Sequence, residues 1–313
     1  MQTTTSQPGV NSGTLAGVIA PVLTPFDSRF EVDTPRFLAH CRWLLAHGCS
    51  ALAPFGTTSE ATSLSTAERR RLLEEMVQGG IDPALLLPGT GTCSLAETLD
   101  LTRQAVELGC AGVLTLPPFY YKSVSDEGLF AYFSSLIDKL GDDRLRVYLY
   151  HIPPIAQVGF SLPLVSRLIE AYPGIVVGLK DSSGDWSNTR AMIEAHPDFA
   201  VFPGSEAFLL DGLRSGMSGC ISATVNVNPG AIREVFDSWQ APEADELQAG
   251  ITAARKAVQS YPLVQALKYL LAHYLGDPEW RRTRPPFQDL PEEQGQALVA
   301  ALEGELGFRM AAE

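Results

Sequence analysis

From Gly17 onward, short apolar runs alternate with longer stretches in which apolar residues recur every three or four positions. The short runs lie at 18–23, 51–54, 85–88, 112–116, 146–150, 175–179, 200–202 and 219–221. Each is followed within three residues by Gly, Pro, Ser or Thr, and each is too short for a helix, so the pattern predicts buried strands. The stretches between them, at 34–47, 66–78, 94–108, 126–140, 162–171, 185–195, 206–214 and 229–239, have the spacing of one apolar helix face. Eight strands alternating with eight helices predict an α/β protein, a (β/α)8 barrel with a parallel sheet. A doubly wound sheet is the alternative, but it wants a glycine-rich turn after the first strand, and Leu23-Thr24-Pro25-Phe26 is not one. After residue 239 the strand signal stops, and 243–260, 262–274 and 292–306 read as helices. The expected organisation is a flexible tail over 1–13, a barrel over 14–239 and a helical region over 240–313.

Composition changes this picture little. The chain has 313 residues, 45% hydrophobic and 19% charged, which is ordinary for a globular protein. Charge excludes more. A net charge of −13 argues against nucleic acid or an anionic membrane as partner. An anionic substrate would need a local trap of backbone N–H groups or hydroxyls. Five cysteines without CxxC spacing argue against a disulfide framework or a zinc site and for reduced thiols in the cytoplasm. Residues 1–13 lack the basic and apolar segments of a signal peptide, and no apolar run approaches the ~18 residues of a membrane helix. The five histidines do not cluster with carboxylates at metal-ligand spacings, so no metal is expected.

Barrel chemistry gathers at the C-terminal ends of strands. Lys180 ends the run Gly174-Ile175-Val176-Val177-Gly178-Leu179 and precedes Asp181-Ser182-Ser183-Gly184-Asp185. A lysine buried at such a strand end is displaced toward the neutral, nucleophilic amine and suits Schiff-base chemistry with a carbonyl. The plainer reading is a lysine whose stem is buried and whose ammonium reaches water. The second strand runs into Phe55-Gly56-Thr57-Thr58-Ser59-Glu60, a natural anion cradle or an ordinary capped turn. The fifth ends in Tyr150-His151-Ile152-Pro153, with a tyrosine that relays protons or simply packs. The fourth leads to Phe119-Tyr120-Tyr121-Lys122, a pocket wall or an interface. Asp181 and Asp185 read as helix caps rather than acid/base groups.

Gly-Thr-Thr, Tyr-Tyr, Tyr-x-Ile-Pro and Gly-Leu-Lys-Asp-Ser-Ser-Gly-Asp occur in this order, about one strand-helix step apart, with Arg284-Pro285-Pro286 near the end. The chain resembles, over 15–284, the dihydrodipicolinate synthase/N-acetylneuraminate lyase family of pyruvate-dependent class I aldolases. The resemblance implies that Lys180 forms the Schiff base and that Tyr150 acts as general acid/base. It implies that Thr57 and Thr58 hold the 2-oxo acid carboxylate, Thr58 also linking Tyr150 to Tyr121. Tyr121 would come from a neighbouring subunit, which implies a homodimer or tetramer. Ile221 would border the imine through its carbonyl. No cofactor is implied, and the partner is a small 2-oxo acid.

The departures bear on the substrate. Ile155 stands where true dihydrodipicolinate synthases usually carry an arginine for the second substrate's carboxylate, and isoleucine cannot pair with one. Thr66 and Arg69 replace the histidines of feedback-inhibited members. Ser59 replaces a glycine, and His151 an asparagine. Gly204, Ser205 and Glu206 form a polar segment near the seventh strand end and are candidate substrate contacts. The expectation is an aldolase for a 2-keto-3-deoxy sugar acid or 4-hydroxy-2-oxoglutarate. Alternatives are dihydrodipicolinate synthase, a deoxy sugar acid dehydratase or a non-catalytic binder of 2-oxo acids.

Overall fold

A computed structural model describes residues 13–310, so 1–12 of the expected tail lie outside the described residues. The strands are β1 (Gly17–Ala20), β2 (Ala51–Leu52), β3 (Val113–Thr115), β4 (Val147–His151), β5 (Val176–Asp181), β6 (Ala200–Pro203) and β7 (Gly219–Ile221). They pair in parallel as β2-β1-β7 and β3-β4-β5-β6. Two seams join these sheets into a ring. Ser218 N–H donates to Val201 O at 3.2 Å beside β6 and β7. On the other side, single bridges join Leu52 to Leu86 and Gly89 to Leu114. The segment 86–89 is thus the eighth stave, between β2 and β3, and the ring is a (β/α)8 barrel. The expected strand over 85–88 is reduced to isolated pairings. Pro83 opens a 3₁₀ turn over Pro83–Leu85, and Pro88 has no N–H to offer a ladder.

Strand alternation builds two cores. Val18 and Ala20 pack outward with helix residues such as Phe37, Leu44 and Phe236. Ile19, between them, points into the barrel with Leu87, Leu114, Tyr148, Phe202 and Ile221. Neighbours facing opposite sides is the period-two rule of a pleated strand. Tyr148 of β4 fills the barrel interior, and its hydroxyl accepts from Leu15 N–H at 2.8 Å. The neighbouring strand makes room with Gly178, where a Cβ would lie 2.5 Å from the Tyr148 ring.

The helices are α1 (Thr34–Ala46), α2 (Thr66–Gln78), α3 (Leu95–Glu107), α4 (Asp126–Leu140), α5 (Pro153–Ala156), α6 (Leu162–Ala171), α7 (Trp186–Ala195), α8 (Leu209–Arg214), α9 (Pro229–Asp237), α10 (Ala244–Gln259), α11 (Leu263–Tyr274) and α12 (Glu292–Ala300). Asp33, Ser65, Ser94, Ser125, Ser161 and Asp185 cap the helices that follow them with side-chain oxygens. The expected helix at 206–214 begins as a 3₁₀ turn, Glu206–Phe208, before α8. The expected helix at 292–306 ends at Ala300 and loosens into a π-helical turn, Ala301–Glu305. No helix among the described residues is long and apolar enough to cross a membrane.

A buried polar knot ties α1 to the C-terminal ends of β1 and β7. His40 Nε2 donates to Asn226 Oδ1 at 3.0 Å, and Leu23 N–H shares that oxygen. The Asn226 amide donates to Pro21 O and Ala223 O. Burial holds His40 neutral, its pKa pushed down to about 4. An unfolded histidine takes up its proton near 6.5. Between those values the unfolded chain binds more protons, so stability should fall as pH drops from 6.5 toward 4, by up to about 3 kcal/mol. His40→Gln keeps a donor for Asn226 but does not titrate. Denaturant unfolding at pH 7 and pH 4.5 should show a smaller acid loss in that variant; equal losses would show that His40 does not drive it.

Candidate active site

β4 and β5 lie side by side in a register that sets Tyr150 against Lys180. The Lys180 ammonium lies 4.4 Å from the centre of the Tyr150 ring. Lys180 is 4% exposed and has no ion-pair partner among the described residues. The strand end therefore does not lead its lysine to water.

The loop after β2 supplies the hydroxyls, and its backbone is fastened on every side. Phe55 and Glu60 adopt left-handed conformations, φ 64° and 56°. Ser59 Oγ donates to Val22 O and accepts from Gly56 N–H, so this departure from glycine gives the loop a tie to the end of β1. Thr24 Oγ1 donates to Ser59 O at 2.8 Å. Glu60 pairs with Lys268 of α11 and accepts from Arg284 N–H at 3.0 Å. Held this way, Thr57 places Oγ1 3.1 Å from the Tyr150 hydroxyl. The expectation that Thr58 carries the link to Tyr150 is corrected: Thr57 makes it. The turn aims the first hydroxyl of the pair across the barrel mouth, and Thr58 lines the cavity without that bond.

A cavity of about 540 Å³ opens at this end of the barrel. Lys180, Tyr150, Thr57 and Thr58 line its floor, and Ile221 borders them. Gly204, Ser205 and Ile155 line it as well, Ile155 being 62% exposed. Gly204 sits so close to Ser182 that a Cβ would meet its Oγ at 2.1 Å. Glu206 is corrected as a substrate contact. It is 1% exposed, and its carboxylate is taken by the Ser222 and Thr224 hydroxyls, with Arg255 3.6 Å away. Asp181 accepts from Ser183 N–H, Asn188 and Thr189 at 2.8 Å each, which leaves it a positioning group for the turn after β5. Asp185 caps α7. Arg69 is buried against Ala61 O, its pKa lowered to about 10 by burial.

Tyr121 is 74% exposed and does not line this chain's cavity. Its loop is pinned: Lys122 donates to Phe119 O at 2.6 Å and Ala156 O at 3.0 Å. Tyr120 and Tyr121 pack edge to face, 5.4 Å between ring centres, and both point outward. The residues that sequence reasoning missed are on α10. Arg255, Lys256 and Gln259 line the cavity, with α10 packed against the segments that follow β6 and β7. Nothing in the local pattern marks them, because α10 reads as an amphipathic helix outside the barrel. No three His, Cys, Asp or Glu side chains among the described residues are grouped to hold a metal ion.

The model of the dihydrodipicolinate synthetase family matches residues 14–305. An uncharacterized DapA-like lyase of Chloroflexus aurantiacus is 35% identical over 289 residues, 92% of this chain and 96% of its own. The crystal structure of dihydrodipicolinate synthase from Agrobacterium tumefaciens superposes with a TM-score of 0.87 at 34% identity, over 94% of this chain and 99% of that one. A prophage protein of the dihydrodipicolinic acid synthase family from E. coli K12, solved with pyruvate, superposes with a TM-score of 0.83 at 26% identity, over 93% and 99%.

The Thr57–Tyr150 bond has a measurable consequence. Thr57→Val keeps the shape but removes the hydroxyl, and should lower lyase kcat by about a hundredfold, the lower end of the range of acid/base contributions. Thr58→Val should act mainly on KM for the 2-oxo acid. A larger kcat loss in Thr58→Val would reverse the assignment.

Proposed function

Because this chain belongs to the dihydrodipicolinate synthetase family and is a class I lyase of it, we propose that it cleaves or forms a 2-oxo acid through an imine on Lys180, with pyruvate as one product or substrate. The observation that carries this reading is the buried, unpaired Lys180 beside the Tyr150–Thr57 hydroxyl pair. Lys180 Nζ adds to the keto carbon. Tyr150 gives a proton to the carbinolamine hydroxyl, which leaves as water, and the protonated imine remains. In cleavage Tyr150 takes the proton of the substrate's C4 hydroxyl as the C3–C4 bond breaks. The bonding pair flows into the imine to give an enamine, and the aldehyde departs. Protonation at C3 and hydrolysis then return pyruvate and the free amine. Thr57 and Thr58 hold the carboxylate with hydroxyls rather than with a charge, so the imine keeps its positive character.

Tyr121 would complete the proton path from a second copy of the chain. Its exposure and its pinned loop support that arrangement, and with it a homo-oligomer. The substrate class we propose is the 2-keto-3-deoxy sugar acids or 4-hydroxy-2-oxoglutarate. Ile155 supports it over dihydrodipicolinate synthesis, because an exposed isoleucine offers an incoming carboxylate no charge. The synthase reading is kept as the alternative on the strength of the 34% identical relative.

Borohydride with pyruvate should add a mass to the peptide that holds Lys180, and Lys180→Ala should abolish it. Labelling at Lys122 or Lys268 instead would sink the assignment. For the substrate, kcat/KM with pyruvate and aspartate semialdehyde should fall about ten- to a hundredfold below that for cleavage of a 2-keto-3-deoxy sugar acid or 4-hydroxy-2-oxoglutarate, the cost of one lost charge-assisted pair. Dominant synthase activity would overturn this reading of Ile155.

A further inference from the structure

Tyr150 lines the cavity; His151, the next residue of β4, faces the other side of the strand and does not. It is buried nonetheless, and its ring is in use. Nδ1 accepts from the buried N–H of Phe160 at 2.9 Å. A backbone N–H can only donate, so Nδ1 holds a lone pair and the ring is neutral, with its proton on Nε2. This bond closes the loop over 152–160 back onto the strand it left. Gly159 lets the chain pass close to the ring: a Cβ there would lie 2.7 Å from His151 Cε1. Farther along, Gln157 turns the loop in a left-handed conformation, φ 54°, and Lys122 holds it through Ala156 O at 3.0 Å. The loop so fastened presents Ile152, Pro154 and Ile155 to the cavity.

We infer that His151 is a positioning residue: its ring straps the loop over 152–160 to β4 and so sets where Ile152, Pro154 and Ile155 stand around the aldehyde end of the substrate. This rests on the lyase reading above. Protonation undoes the strap. An imidazolium carries hydrogens on both nitrogens, so it cannot accept from Phe160, and a buried donor is left without a partner. Two groups set the balance. Burial, with the Phe160 ring 6.5 Å away, opposes the proton, and Asp181, the register neighbour on β5, favours it. Burial wins, and the ring titrates below the ordinary histidine range. The charged groups where α4 and α6 begin are occupied at the surface, Asp126 with Ser161 and Glu127 with Arg167. The strap is therefore closed at neutral pH and loosens in acid. An asparagine at this position would carry its acceptor oxygen on Cγ, where histidine carries Nδ1, and would take the same N–H without titrating.

The experiment compares the wild-type chain with His151→Asn and His151→Leu at about pH 7.5 and about pH 5, on either side of the unperturbed histidine value. The first readout is KM for glyceraldehyde in its condensation with pyruvate. On acidification the wild-type KM should rise about fivefold or more relative to that of His151→Asn, the effect of one lost hydrogen bond to a buried N–H. His151→Leu should show the raised KM already at the higher pH. Its rate of borohydride trapping of pyruvate there should stay within about twofold of wild type, because Lys180, Tyr150 and the two threonines lie outside the strap. A wild-type KM that tracks that of His151→Asn at both pH values would overturn the assignment, as would a trapping rate that falls together with KM. The second readout, hydrogen exchange at the Phe160 amide, does not depend on catalysis. Protection should drop in acid in the wild-type chain and persist in His151→Asn; equal protection in the two would overturn the strap. Absence of pyruvate trapping by the wild-type chain defeats the lyase reading, and the exchange comparison then decides the strap by itself.

Discussion

The position of the loop after β2 depends on one buried ion pair, Glu60 with Lys268. Both side chains are fully withdrawn from water. Two charges so placed are costly unless each is paired and its remaining bonds are made. They are made here: Glu60 also accepts from Arg284 N–H, and Lys268 also donates to Arg282 O at 2.9 Å. Lys268 and Arg284 both lie over the Phe26 ring, 4.5 and 4.6 Å from its centre. Glu60 therefore cannot swing out, and the loop before it is held in its left-handed turns. Thr57 owes its distance to Tyr150 to this anchorage from behind. The C-terminal helices are thus a back plate for the loop, and through α10 they are also one wall of the cavity.

Much of this was legible in the chain, for identifiable reasons. A (β/α)8 barrel brings all its strand ends to one rim, so a polar residue closing an apolar run is placed near the others before any contact is known. That logic picked out Lys180, Tyr150 and the Gly-Thr-Thr turn. It could not choose between Thr57 and Thr58, because neighbouring residues in a turn differ only in which way the backbone aims them. Glu206 was misjudged for a related reason. Its segment does reach the rim, but the hydroxyls of Ser222 and Thr224 and the guanidinium of Arg255 draw its carboxylate inward. Those partners lie far along the chain, and no local pattern announces them.

The same limit hid the cations of α10. Amphipathic spacing tells that one face of 244–259 is covered; it does not tell that part of another face overlooks a cavity. The hydroxyl-bearing residues Thr57 and Thr58 line the same cavity as Lys180.

The ring closes through the two ends of the barrel sequence: Gly17, Val18 and Ile19 of β1 pair with Gly219, Cys220 and Ile221 of β7. On the ribosome that pairing has to wait. Synthesis runs at about 5–20 residues per second, so the roughly 200 residues between the partners take on the order of 10–40 s to appear. Throughout that interval β1 can hydrogen-bond to β2 on one side only, and its other edge offers bare N–H and C=O groups of an apolar strand to any passing chain. The native topology, harmless once closed, gives each newborn molecule a period of vulnerability whose length is set by translation speed.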